Sequence, residues 1–535
     1  MKKQAIFILI LGAWATTAFP QGHLKPVMEP YKLAGRRLVF TNWFYVRTGH
    51  FHWTGEEGES VFMDQSAKLA EDEAQFVPYD FPYGISLFAE PAEKEIPIIA
   101  TDKPWDRWGI RLGTLLHENG KYRLWGNCNS DNLHSRACYF ESKDGIHWEK
   151  PDLGYMEYEG SKKNNLLPPG TAISVFSDPH GPPAERYKSV GHSKITLEEF
   201  NKKYRKQRPW SYYALELDAP MVHVMVGAVS PDGFFWKWLK EPIGFEHADT
   251  QTMGYYDARL EKYVIYTRSH MVGDRAPGIP YPKEKFHQRV ARRAISRIES
   301  EDFRQLPLSV NIIETESDMH PAEQFYTNCY TTIPGAPDHH LMFPTLYHYG
   351  DDDTDLLLYA SYNGLNWHRM TGPPVFADQP YGEPDGGCFF ASPNLVERTN
   401  GDWILPYNGY NVPHKYPRGA YRFEPGLLVW PKGRLCGIEA GEVGEFATVA
   451  FVLPGETLKI NALTQRAGYI KVELVEFDGK AVPGYTFEEC DPIIGNHHYT
   501  PVTWKGKKGL GEDPGTPVWF RFKMKMAKLY GLEFE

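Results

Sequence analysis

The chain has 535 residues, which is enough for more than one domain, and its formal net charge is -10. That charge disfavours a polyanion such as nucleic acid as a partner. After the N-terminal segment, no stretch of the sequence approaches the roughly 18 consecutive apolar residues of a membrane span. Aromatic residues make up 14% of the chain, a share found both in sugar-stacking surfaces and in β-rich cores.

The first residues have the pattern of a secretory signal peptide. Lys2 and Lys3 precede an apolar stretch, residues 5–11, and small residues follow it. Positive charge, apolar core and small residues in this order indicate a signal peptide over residues 1–18. No Cys follows the apolar stretch, so no lipoprotein anchor is predicted. The sequence therefore predicts a secreted or periplasmic protein.

Residues 19–100 are predicted to form an N-terminal extension packed on the domain that follows. Within this extension, residues 37–46 have the pattern of a β-strand, and residues 64–73 have the pattern of a short helix.

A strand, turn and Trp motif recurs within residues 101–438. A β run ends in Ser, an Asp-Gly or Asn-Gly pair follows, and a Trp returns over the turn. Full copies lie at residues 139–148, 228–236 and 359–367, and a degenerate copy lies at residues 297–303. Because Asp-Gly and Asn-Gly pairs favour the positive φ of tight hairpins, each copy predicts one antiparallel hairpin.

A second alternating strand precedes each motif and recurs once more without it, so that the pattern appears about five times. These strands lie at residues 120–125, 185–190, 261–266, 340–344 and 401–407. The motif spacing is too long and uneven for the roughly 40 to 45 residues of a WD40 blade. Five four-stranded units around an axis predict a five-bladed β-propeller, whose closure protects the sheet edges. Residues 196–207 predict a helix inserted in a loop.

Residues 439–535 lack the Trp motif and contain short alternating strands between Gly, Pro and Asp turns. They predict a C-terminal β-sandwich that braces the propeller, which makes the fold all-β. The six cysteines have no metal-site spacing. Export permits disulfides, and Cys128 and Cys138 could face each other across neighbouring strands, with buried free thiols as the alternative.

The sequence resembles the five-bladed propeller hydrolases related to glycoside hydrolase families 32, 43 and 68, particularly uncharacterised secreted relatives from planctomycetes and Bacteroidetes. The matching segments are residues 142–154, 183–188, 293–300 and 468–484, together with the pair Asn164 and Asn165. The resemblance covers most of the chain after residue 103. It implies the propeller and sandwich fold and suggests hydrolysis of glycosidic bonds. The chain departs from the fructosidase pattern because the Trp-Met-Asn-Asp-Pro-Asn-Gly and Arg-Asp-Pro motifs are absent.

Candidate site residues follow from the direction of the strands. In such propellers the innermost strand of each blade starts at the active-site face, about eight residues before the polar turn at roughly 3.3 Å per residue. The second strand returns to the same face. This placement predicts a polar, acid-rich site made by Asp106, Arg111, Thr171, His247, Asp249, Gln251, Glu323, Tyr326 and Asp385 from the first strands, with Asn127, His192, Arg268, His270, His348 and Asn408 from the second.

Glycosidic cleavage usually needs one protonated carboxyl group and one carboxylate, placed about 5 to 5.5 Å or about 6.5 to 9.5 Å apart. We predict Asp249 and Asp385 as the principal carboxylates and Glu323 as the acid, because apolar neighbours could desolvate Glu323 and keep it protonated. Asp106, held by Arg111, is a fourth catalytic candidate. The predicted substrate-binding residues are Arg111, His247, Gln251, Arg268, Tyr326, His192 and His348.

The sequence thus predicts a secreted glycoside hydrolase acting on a poly- or oligosaccharide. The alternative is a non-catalytic carbohydrate-binding propeller, which is favoured if the axial site holds one acid among aromatics. Convergence of Asp249, Asp385 and Glu323 on one pocket would favour the hydrolase. No cofactor or metal is predicted, although an axial or structural calcium ion near Gln251, without a spacing signature, is left open. The oligomeric state, the sugar and the linkage are not predicted.

Overall fold

The computed structural model describes residues 30–54, 60–61, 75–131, 134–207, 221–246, 249–270, 292–377, 379–416, 422–476 and 479–535, with the backbone alone at 50–54, 60–61 and 75–79. The predicted signal peptide, residues 1–18, and the predicted helix at 64–73 lie outside the described residues.

The regular secondary structure of the described residues is almost entirely β-strand, as the sequence predicts, and nearly all strand pairs are antiparallel. Three units each contain four consecutive strands that pair in chain order. Unit 1 contains Gly109–Glu118, Lys121–Asn129, Ser135–Ser142 and Trp148–Glu149. Unit 2 contains Phe176–Ser177, Tyr187–Thr196, Met221–Ser230 and Lys237–Trp238. Unit 3 contains Met253–Asp257, Lys262–His270, Arg293–Ser300 and Val310–Ile313.

Two further units follow with interrupted strands. Unit 4 pairs Tyr330–Ile333, Ala336–Met342, Tyr359–Ser361 and His368–Arg369 in one sheet and Glu323–Phe325, Thr345–His348 and Thr354–Leu356 in another. Unit 5 contains Cys388–Ala391 and Val396–Glu397, which both pair with Trp403–Tyr410, and then Phe423–Trp430. The last of these strands meets the first strand of unit 1 in a parallel contact between Phe423 and Gly109.

The predicted Asp-Gly and Asn-Gly hairpins are confirmed, and their hydrogen bonds repeat. In unit 2, Ser230 Oγ accepts the backbone N–H of Gly233 at 2.9 Å, and Asp232 Oδ1 accepts a further backbone N–H at 2.8 Å. The same bonds recur at residues 142–146 and 361–365. Gly233 has a φ of 83°, a conformation that favours glycine. The Ser and Asp or Asn side chains of each turn therefore accept hydrogen bonds from backbone N–H groups of the same turn.

The N-terminal segment supplies strands to two other parts of the molecule. Glu93–Glu95 pairs with Phe423–Trp430 and is the fourth strand of unit 5. Tyr83–Ala89 pairs with the strand that begins at Cys436, and Arg37–Leu38 pairs with the last strand of the chain. A separate small sheet contains His50–Thr54, Ser60–Val61 and Gln75–Tyr79.

The strand expected over residues 37–46 is shorter than predicted. It ends at Leu38, and the segment turns into the 3-10 helix Trp43–Tyr45. The Asn42 side chain accepts the backbone N–H of Phe44, a capping contact that competes with continued strand pairing.

The C-terminal region forms a sheet around its own apolar core. Its strands are Cys436–Ala447, Phe451–Val452, Leu458–Glu476, Asn496–Pro501 and Pro517–Phe534. The long strands have register shifts after Ala440 and Thr464, at matching levels, and such bulges bend a sheet. Side chains from the strand segments on both sides of these bulges, including Ile460 and Phe522, belong to one buried apolar cluster.

The helix predicted within residues 196–207 is present as Leu197–Lys203. Thr196 caps it by accepting the backbone N–H of Glu199, and Phe200 is buried on its inner face. The described residues also contain the 3-10 helices Trp43–Tyr45, Pro183–Glu185 and Pro431–Gly433.

Cys128 and Cys138 form a disulfide between the second and third strands of unit 1. The other four cysteines are buried free thiols. Both outcomes that the sequence left open are therefore present in this protein.

Candidate functional site

One pocket is lined by a short segment from every unit. Its volume is about 580 Å³, within the range of roughly 300 to 1,000 Å³ that is usual for small-ligand sites. Each segment lies in, or directly beside, the first strand of its unit. The five segments are residues 111–114, 171–174, 249–252, 326–327 and 390–393.

Hydrogen bonds between side chains and backbone connect the pocket segments of units 1, 2 and 3. Thr114 Oγ1 donates to the carbonyl of Ile173 at 3.0 Å and accepts the backbone N–H of Val175 at 2.9 Å. Ser174 Oγ donates to the carbonyl of Thr252 at 3.0 Å. These bonds are made within the pocket wall, so they align the units that surround it.

Gln251 and Asn408 connect the remaining units. Gln251 accepts the backbone N–H of Cys329 at 2.6 Å and donates to the carbonyl of Ala391 at 3.0 Å, which links unit 3 to units 4 and 5. Asn408 accepts the N–H of Leu112 at 2.6 Å and donates to its carbonyl at 3.1 Å. Gln251, a predicted substrate-binding residue, thus lines the pocket while its amide is engaged in holding the units together.

Asp249 is the carboxylate of the pocket. It is the one acidic residue among the described residues that line the cavity, and 39% of its side chain is exposed. It forms an ion pair with Arg268, whose side chain is only 6% exposed. Burial and, next to it, the charge of Arg293 lower the pKa of Arg268 to about 10. Arg268 is therefore still a cation at neutral pH.

Tyr326 projects between several cationic side chains. The guanidinium carbons of Arg268 and Arg293 lie 5.3 and 5.1 Å from the centre of its ring, and Lys415 Nζ lies 5.4 Å away. Its hydroxyl is 2.9 Å from His414 Nε2. Tyr326 is thus a polar aromatic surface in a positive environment, a setting that favours cation–π contacts.

Asp385 lies away from the pocket lining. Its buried carboxylate forms an ion pair with Lys94 at 2.9 Å and accepts the hydroxyl of Tyr407 at 2.8 Å. Burial and this carboxylate raise the pKa of Tyr407 strongly. Since Lys94 belongs to Glu93–Glu95, Asp385 anchors the N-terminal strand to unit 5.

Asp106 is also buried, and its carboxylate is engaged in structural contacts. It forms an ion pair with Lys150 at 2.5 Å and accepts the backbone N–H of Lys103 at 2.8 Å. Burial raises its pKa, and the bond to Lys150 opposes that shift. The predicted partner Arg111 instead lines the pocket, and its side chain has no hydrogen-bond or ion-pair partner in the described part of the chain.

Glu323 faces another cavity, of about 190 Å³, beside Asp318 and Arg369. Its carboxylate lies 3.4 Å from His348 Nδ1, and His348 Nε2 lies 3.1 Å from Asp355. The bond to Asp355 raises the pKa of His348. Glu323 and His348 therefore form a separate cluster in unit 4.

The structure brings together eight of the predicted site residues. The residues that line the pocket are Arg111, Asn127, Thr171, His192, Asp249, Gln251, Tyr326 and Asn408, and Arg268 reaches it through Asp249. His247 lies outside the described residues. Sequence reasoning missed the pocket residues Trp238, Phe390, Tyr410 and His414.

A sequence signal exists for one of the missed residues. Tyr410 follows the correctly placed Asn408 by two positions, which is the side-chain repeat of a strand. No comparable local signal marks Trp238, which belongs to the fourth strand of unit 2.

Neither a membrane-spanning helix nor a metal cluster appears in the described ranges. None of their helices is long and apolar enough to cross a membrane. Their His, Cys, Asp and Glu residues form no group of three or more that could hold a metal ion.

No protein-family model matches the chain. Two uncharacterized proteins of Mycobacterium tuberculosis are 26% identical to it over 103 residues, which is 17% of this chain. The match spans about a third of the length of these curated relatives, 34%.

Similar solved structures include enzymes of different chemistries. A thermostable family-43 glycoside hydrolase is 15% identical with a TM-score of 0.35, covering 62% of this chain and 93% of its own. An exo-inulinase from Aspergillus awamori is 12% identical with a TM-score of 0.35, covering 82% and 99%. An N-acetylgalactosamine deacetylase from F. plautii is 12% identical with a TM-score of 0.35, covering 65% and 96%. Likeness at this level assigns no activity, since one fold hosts many chemistries.

Proposed function

We propose that this chain is an exported carbohydrate-binding protein in which units 1 to 5 form a five-bladed β-propeller braced by a C-terminal β-sandwich. The observation that carries the proposal is the pocket, which residues of all five units line. Glu93–Glu95, as the fourth strand of unit 5, would close the ring. Export rests on the N-terminal sequence pattern.

The chemistry of the pocket suits a saccharide. Trp238, Phe390 and Tyr410 offer aromatic surface, and Arg111 and Asn127 offer polar groups. Sugars present both apolar C–H faces and hydroxyl groups, so they are bound by aromatic rings together with a few well-placed polar side chains. The volume of about 580 Å³ leaves room for a small saccharide.

Binding is favoured over cleavage by the number of carboxylates. Cleavage by the usual mechanism requires two carboxyl groups on either side of the scissile bond. Among the described lining residues, Asp249 is the one carboxylate, while Asp385 and Asp106 are buried in ion pairs and Glu323 faces another cavity. This arrangement matches the condition under which the sequence favours a binding module.

Glycosidic hydrolysis is a second candidate function. The observation in its favour is the exposure of Asp249, since a carboxylate at 39% exposure within a pocket can reach a bound sugar. In the ion pair with Arg268 it would act as base or nucleophile rather than as acid.

The experiment that tests both candidates combines a glycan-binding screen with an assay for released reducing sugar. The purified mature protein is compared with Asp249→Asn and with Asp152→Asn, whose exposed side chain lies outside the pocket. Binding without sugar release, weakened in Asp249→Asn alone, is the expected result. Release that is lost in Asp249→Asn would establish the hydrolase. Binding of no glycan would contradict the proposal.

A further inference from the structure

Among the described residues, cationic side chains surround Tyr326 at the end of the pocket that this residue lines. Arg268, Arg293 and Lys415 all lie within 5.4 Å of the Tyr326 ring. Asp249 offsets one of these cations through its ion pair with Arg268.

A second acid, Asp352, also lies near this cluster. Its carboxylate accepts the backbone N–H of Lys415 and the hydroxyl of Tyr347. Across the described ranges, neither Arg293 nor Lys415 forms an ion pair with a carboxylate, and neither does Arg111 in the pocket wall. The cations therefore outnumber the acids that contact them.

Several donor groups of this cluster are buried without a partner. Arg268 is 6% exposed, and within the described part of the chain its Nε and Nη1 atoms have no hydrogen-bond acceptor. Arg293 donates from Nη1 to Gln324 at 2.5 Å, but its Nε atom is also buried and unpaired there. A buried donor without an acceptor costs about 1 to 3 kcal/mol, and more when it is charged. An anionic group bound beside the cluster would stabilise these buried cations through its charge.

We propose that the ligand is an acidic saccharide whose carboxylate or sulfate group binds at the Tyr326 end of the pocket. This inference rests on the proposed saccharide-binding function. Planar guanidinium groups match the paired oxygens of such anions. The Tyr326 hydroxyl, 2.9 Å from His414 Nε2 and 3.5 Å from Lys415 Nζ, adds a polar contact point. A neutral sugar would leave Arg293 and Lys415 without a carboxylate partner among the described residues.

The net charge of -10 on the whole chain does not oppose this inference. At about 0.1 M ionic strength, exposed charges more than roughly 10 Å away are largely screened. Arg268 and Arg293 act on the bound group with less screening, because the first is buried and the second half-buried.

The first test is calorimetric titration of the full-length mature protein with three probes of matched length: an oligogalacturonide, a sulfated galactan oligosaccharide and a neutral xylo-oligosaccharide. At least one acidic probe is expected to bind about tenfold more tightly than the neutral one. The oligogalacturonide and the sulfated probe distinguish a carboxylate from a sulfate. Equal or tighter binding of the neutral probe would overturn this inference and leave saccharide binding intact. Binding of no probe would count against both proposals.

The second test uses charge-neutralising variants. Arg293→Gln is expected to weaken binding of the preferred acidic probe about tenfold, and Lys415→Gln, whose side chain is exposed, should weaken it severalfold without risk to folding. Lys143→Gln, on an exposed turn of unit 1 outside the pocket, is the matched control and should change nothing. Unchanged affinity in both Arg293→Gln and Lys415→Gln would contradict the assignment.

Discussion

The two ends of the repeating units differ in their chemistry although the same strands connect them. At the hairpin ends, units 1, 2 and 4 have the same turn, with a Ser, an Asp or Asn, and a Gly. In each turn the Ser hydroxyl oxygen accepts the backbone N–H of the Gly. At the pocket ends, each segment carries different side chains and bonds to a different neighbour. The repeated residues therefore form each unit, while the varied residues join the units and shape the pocket.

Changing Gly233 tests the hairpin end and should have the largest effect on stability. Its φ of 83° strains a β-branched residue, and a Cβ there would lie 2.8 Å from the ring of Trp125. Gly233→Val is expected to destabilise the protein by about 3 kcal/mol, measured by urea unfolding. Gly441→Val is the control, because open space surrounds Gly441. Equal unfolding midpoints for the two variants would contradict this account.

Two aspartates of the predicted site separate the residues that hold the units together from those that line the pocket. Asp385→Asn removes a buried ion pair with Lys94 and should lower stability by about 2 kcal/mol while saccharide affinity is unchanged. Asp249→Asn, at an exposed position, should reduce affinity with a stability change within about 0.5 kcal/mol. Thermal unfolding and glycan titration of both variants check this. A loss of affinity in Asp385→Asn would show that Asp385 communicates with the pocket.

The smallest expected effect is the dependence of stability on pH through His348, which lies with Glu323 in unit 4 outside the pocket. The pKa of His348 is raised by its hydrogen bond to Asp355, so protonated His348 stabilises the fold. This contribution is complete below the ordinary His pKa of about 6.5 and is lost as the pH rises through the folded-state pKa.

Urea midpoints between about pH 5.5 and 8.5 should therefore fall by the equivalent of about 1 kcal/mol or less in the parent protein. His348→Gln should remove this dependence, whereas His368→Gln, at an exposed position, should retain it. A His348→Gln variant with the same pH profile as the parent would refute the role of His348.

Local sequence patterns predicted the elements whose bonds join residues close in the chain. These are the hairpins at Ser142, Ser230 and Ser361 and the helix Leu197–Lys203. Such contacts have a recognisable residue pattern, because side chains and backbone of the same few residues satisfy each other. The pairing of Cys128 with Cys138 was only one of two outcomes that the sequence allowed.

The tertiary packing, in contrast, was needed to show which acids face the pocket and how the N-terminal segment pairs. Asp249 lines the cavity, whereas Asp385 precedes the pocket segment 390–393 by five residues, or roughly 16 Å of extended chain. A small error in strand phase turns a side chain to another face. Glu93–Glu95 pairs with Leu427–Val429 across more than three hundred residues. Contacts of that kind are set by packing between distant segments, which leaves no mark in local sequence patterns.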